Sequence, residues 1–73
     1  MTGTVVDART IVLPESRAYR CEFEDGTGRI VLFFIGRSRV PGIACGTRCT
    51  VEGTVRRDGA DLLLWNPIYR LES

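Results

Sequence analysis

The sequence predicts an all-β fold: a five-stranded Greek-key barrel with at most one short helical turn between the third and fourth strands. Three observations predict it. Apolar and polar residues alternate with period two along much of the chain. Glycine-bearing turns separate the apolar runs. The chain has 73 residues, one domain's worth, and closing the sheet hides edges that a flat sheet of this size would leave unpaired.

Residues 4–12 (TVVDARTIV) mix β-branched and polar residues and form the first predicted strand, which Pro14-Glu15-Ser16 ends. Residues 18–24 alternate, with Tyr19, Cys21 and Phe23 on one face and Arg20, Glu22 and Glu24 on the other. Asp25-Gly26-Thr27-Gly28 is a hairpin turn, because its glycines take positive φ without strain. Residues 29–35 (RIVLFFI) make the third strand. Residues 36–46, with Pro41-Gly42 at their centre, are irregular; Pro and Gly limit any helix there to a turn. Residues 48–56 alternate again, and Gly53 inside them fits a bend at a barrel corner. Arg57-Asp58-Gly59-Ala60 is the second hairpin and residues 61–65 (DLLLW) the fifth strand. Pro67 interrupts it, and Ile68, Tyr69 and Leu71 follow. This plan is that of the OB-fold, whose second and third strands and flanking loops form the binding face. An SH3-like barrel is the competing architecture.

All ten basic residues are arginines, and there is neither lysine nor histidine. A GC-rich genome accounts for that bias, yet arginine also stacks on bases and grips phosphate in a fork. The missing residues remove the commonest general base and the Schiff-base amine, and no carboxylate pair stands at catalytic spacing, so no enzyme is expected. Residues 29–57 carry six arginines against Glu52 alone, a net +5, between flanks of −2 on each side. Such a basic block suits an anionic partner, although solvated loops explain it equally well. Cys21, Cys45 and Cys49 are odd in number and lack the histidines or fourth cysteine of a zinc site. They are expected as free thiols in the core, with no metal and no cofactor. No run reaches the roughly 18 apolar residues that span a bilayer, and Met1-Thr2-Gly3 is not followed by a signal-like run. A cytoplasmic protein without a membrane partner is expected.

The run Asp25-Gly26-Thr27-Gly28, Phe34-Ile35-Gly36, Gly46, Val51-Glu52-Gly53-Thr54-Val55 and Asn66-Pro67 resembles the nucleic-acid-binding OB domains. These include the wedge domain of RecG-type helicases, anticodon-binding OB domains and small stand-alone bacterial OB proteins. The order and spacing carry the resemblance, over about Gly3 to Leu71; each piece alone is short. It implies binding of DNA or RNA. It does not extend to helicase activity, because Gly26-Thr27-Gly28 lacks the Gly-Lys-Ser/Thr of a phosphate loop.

Simple closure of the DGTG turn pairs Asp25 with Gly28, Phe23 with Ile30, Cys21 with Leu32 and Tyr19 with Phe34 inside. Outside it pairs Glu24 with Arg29, Glu22 with Val31 and Arg20 with Phe33, with Ile35 beyond. Phe33 is then an exposed aromatic beside Arg20 and the first candidate for base stacking, unless a loop or a partner chain covers it. Pairing Arg57 with Ala60 puts Val55 opposite Leu62 and Gly53 opposite Leu64 inside, with Leu63 and Trp65 outside. One more residue in the turn would reverse Trp65. Arg56, Arg57, Arg37 and Arg39, followed by Arg48 and Arg20, are the candidate phosphate contacts. The expected function is non-catalytic binding of single-stranded DNA or RNA. The alternative is a protein partner or homodimer docked on an exposed Val31, Phe33, Ile35 stripe.

Overall fold

The computed structural model describes residues 1–72. It is all-β, with no helix among the described residues. Seven strand segments form one curled, half-barrel sheet. They are β1 (Thr2–Leu13), β2 (Ser16–Glu24), β3 (Arg29–Ile35), β4 (Arg48–Glu52), β5 (Val55–Asp58), β6 (Asp61–Trp65) and β7 (Ile68–Leu71), in the order β5-β6-β3-β2-β1-β4-β7. All neighbours are antiparallel except β3 and β6, which run parallel. Seven segments replace the five expected because two strands break. The fourth predicted strand divides at Gly53-Thr54 into β4 and β5, and the fifth divides from β7 at Asn66-Pro67. The breaks face each other: Glu52 pairs with Ile68 on one side and Val55 with Leu64 on the other.

The β2–β3 register is the expected one throughout, from Tyr19–Phe34 to Glu24–Arg29. The turn between them is locked locally. Asp25 Oδ1 accepts from the Thr27 amide at 2.9 Å and the Thr27 hydroxyl at 2.7 Å. These bonds hold the Asp25 carboxyl below its ordinary range. The β5–β6 hairpin differs from expectation by two residues. Asp58 pairs with Asp61, Arg57 with Leu62 and Val55 with Leu64, while Gly53 leaves the ladder. Gly59-Ala60 forms the turn, because Gly59 takes the left-handed conformation (φ 63°). A two-residue slip preserves the inside–outside alternation, so Leu64 still faces in and Trp65 still faces out.

The concave face holds the core: Val5, Cys21, Phe23, Leu32, Val51 and Leu64 are all at most 1% exposed. Cys49 joins them, but Cys45 is exposed, contrary to expectation, because it lies in the loop rather than on a strand; its Sγ reaches the Val6 carbonyl at 3.2 Å. β1 curls over this core through a bulge between Val5 and Asp7. At Gly3 it passes so near the end of β2 that a Cβ would run into the Glu24 carbonyl. Residues 36–47 cap one end of the half-barrel with two four-residue turns, Val40 to Ile43 and Ala44 to Thr47, each closed by an amide bonding the carbonyl three residues back. Val40 and Ile43, each 3% exposed, plug that end. Two phenols pin the cap: Tyr19 donates to the Ile43 carbonyl at 2.7 Å and Tyr69 to that of Pro41 at 3.2 Å.

Candidate nucleic-acid interface

The convex face of β2, β3 and β6 is set by the alternation itself. Arg20, Glu22 and Glu24 project from β2, Arg29, Val31, Phe33 and Ile35 from β3, and Leu63 and Trp65 from β6. Parallel pairing places Val31 beside Leu63 and Phe33 beside Trp65. The Phe33 and Trp65 rings stack with centroids 5.0 Å apart and planes 20° from parallel. Trp65 is 44% exposed. Phe33 is half-buried rather than exposed, because Trp65 lies over part of its ring. The apolar stripe is also narrower than expected. Val31 is buried at 9% between Glu22 and Leu63, and Ile35 is half-buried.

Asn66 holds the Phe33–Trp65 pair in register. Its amide donates to the Phe33 carbonyl at 2.6 Å, and its Oδ1 accepts from the Ile35 amide at 2.7 Å. The side chain thus supplies an acceptor to β3 where the chain turns away from the ladder. Asn66 sits at φ 47°, a left-handed conformation that asparagine tolerates better than most residues. Pro67 behind it cannot donate to a continuing ladder.

The carboxylates on this face are matched. Glu22 lies 3.6 Å from Arg20 and 3.6 Å from Arg29, Glu24 lies 3.2 Å from Arg29, and Asp7 lies 2.8 Å from Arg9. Around the aromatic pair stand three of the expected arginines. Arg20 is directly across from Phe33 on β2. Arg56 is across from Leu63 on β5 and so shares the convex face. Arg37 lies two residues past Ile35 and lines a groove with Ile35, Asn66 and Pro67. Arg37 and Arg56 have no ion-pair partner among the described residues.

The other expected arginines lie elsewhere. Arg57 faces Leu62, on the opposite side of β5 from Arg56. Arg39 lines a groove with Tyr19 and Pro41 at the capped end. Arg48, on β4, is bound to Glu72 at 2.9 Å, and β2 and β1 separate β4 from β3. Asn66 was missed as a site residue; Asn-Pro at the end of an apolar run is the signal that marks it. Among the described residues no three Cys, Asp or Glu side chains gather as a metal-binding group. Among the described residues no helix is long and apolar enough to cross a membrane. Comparison of the chain with protein-family models, curated proteins and solved structures returns no match.

Proposed function

We propose that this chain is a non-catalytic OB-type module that binds single-stranded DNA or RNA across the convex face of β2, β3 and β6. The observation that carries the reading is the Phe33–Trp65 stack, a partly exposed aromatic platform bordered by Arg20, Arg37 and Arg56. Bases stack on such platforms whatever their identity, and arginines beside them take the phosphates. The strand plan supports it. With β4 and β5 counted as one kinked strand and β6 and β7 as another, the third and fifth strands are parallel and the fourth returns to the first. We read this course as the Greek key of the OB-fold, whose second and third strands bind oligonucleotides. The free thiols suit the reducing cytosol. A protein partner or second copy docked on the same face is less well supported, since burial of Val31 leaves only Phe33 and Ile35 of its stripe.

Titration of Trp65 emission with single-stranded oligothymidine or oligouridine at low salt tests the reading. Saturable quenching that weakens in Phe33→Leu is expected. An unchanged emission together with unchanged anisotropy of labelled DNA and RNA strands would overturn it.

A further inference from the structure

β5 is a sheet edge without an outer neighbour. One side of it pairs with β6, and the other ends the strand order. Among the described residues none of its backbone groups bonds to a loop or to another strand. The opening has a direction. β1 runs antiparallel beside β4 as far as Met1, which exchanges two bonds of 2.8 Å with Val51. β5 carries the β4 course past the kink at Gly53-Thr54, and no strand lies in line with β1 beside it. The core face under this edge is uncovered. Val55, Leu62 and Met1 are 47%, 36% and 43% exposed, and with Ile30 they line a cleft of about 140 Å³.

Charge on an edge strand ordinarily keeps other strands away. Here it selects among them. Arg56 stands on the convex face and Arg57 on the core face, and neither has an ion-pair partner among the described residues. The register that pairs all four residues of β5 with a second copy sets Arg56 against Arg57 twice, and like charges directly opposite are destabilising. A strand with carboxylates opposite both arginines meets opposite charge on each face instead.

We infer that β5 takes an acidic extended peptide of a partner protein as an added antiparallel strand, in line with β1. From its N-terminal end the peptide carries two adjacent acidic residues, opposite Arg57 and then Arg56. An apolar residue follows, opposite Val55, and covers the cleft. Main-chain bonds to the open edge supply affinity, and the alternate side chains supply specificity. The inference does not depend on the nucleic-acid reading, because the edge and its cleft share only Arg56 with the residues around the Phe33–Trp65 stack.

The test titrates isotope-labelled protein with two blocked peptides of about seven residues, an ordinary strand length, up to about 1 mM. One carries Glu-Glu-Val between threonines and the other Lys-Lys-Val. The glutamate peptide is expected to bind about 4-fold tighter or more, since two opposite-charge pairs replace two like-charge ones. Amide resonances of residues 55–58 should shift on binding, and the outward amides of that edge should exchange more slowly. Arg57→Glu leaves each peptide one opposite and one like charge, so the affinity ratio should fall to near one while Trp65 emission, a check on the fold, stays unchanged. Equal affinity of the two peptides for the unaltered protein, shifts confined to the Phe33–Trp65 face, or no binding overturns the inference. So does exchange at β5 that slows with protein concentration in the absence of peptide, which puts a second copy on the edge.

Discussion

Phe33 and Trp65 stack because β3 and β6 run parallel and place them at the same level of the convex face, with ring centroids 5.0 Å apart. The two residues are 32 positions apart in the chain, so the platform exists only when the sheet is assembled. Trp65→Ala is expected to remove one stacking surface and weaken single-strand binding by about 1–3 kcal/mol, roughly 5- to 150-fold. Folding loses the aromatic pair, about 0.5–1.5 kcal/mol, together with the area that the half-buried ring removes from water. Equilibrium binding and urea unfolding of the same variant measure the two losses separately.

Asn66 is the clip that keeps the pair level. Asn66→Ala removes the bond to the Ile35 amide and places a residue without a local side-chain acceptor at φ 47°. A loss of about 1–2 kcal/mol is expected, from one hydrogen bond and the left-handed conformation. Asn66→Gly loses the bond but relieves the backbone, so it should unfold at higher urea than Asn66→Ala. The reverse order would show that the conformation carries no strain.

The thiols divide by position. Cys45 is exposed, whereas Cys21 and Cys49 are buried. A thiol reagent added to the native protein should modify Cys45 first and the other two only on unfolding, as mass spectrometry would read. Burial, with the neighbouring Cys49 second, pushes the Cys21 thiol up to about 12 from an ordinary 9.0. Burial also raises Cys49, and raises the Tyr19 phenol above 10.0. In each case the unfolded chain releases its proton at lower pH than the folded one. The stability present below about pH 9 is therefore lost as pH rises towards 12. Urea midpoints should fall between pH 8.5 and 10.5, and Cys21→Ala should flatten that fall. A midpoint independent of pH over this range would contradict the burial of Cys21.

The sequence made the β2–β3 hairpin legible because one face of it is uniformly apolar. A register slip would have exposed Phe23, Cys21 and Tyr19 together, and the Asp25–Thr27 bonds fix the turn. The β5–β6 hairpin was less constrained. All four residues of β5 are exposed, so no burial penalty chose between Asp58-Gly59 and Gly59-Ala60 as the turn. The parallel β3–β6 pairing is non-local and left no periodic trace, which hid both the stack on Phe33 and the burial of Val31. The arginines were recognisable as a class but not as a site. Alternation alone separates Arg56 from Arg57, and the ion pair of Arg48 with Glu72 joins residues 24 positions apart.

The central claim is that this face holds phosphate as well as bases, and the salt dependence of single-strand affinity tests it most directly. Each arginine that neutralises a phosphate contributes about −0.7 to the slope of log K against log salt for a single strand. With Arg20, Arg37 and Arg56 at the platform, a slope near −2 is expected, becoming shallower by about 0.7 in Arg56→Ala and unchanged in Arg48→Ala. A slope near zero, or one that changes with Arg48 and not with Arg56, would contradict the account.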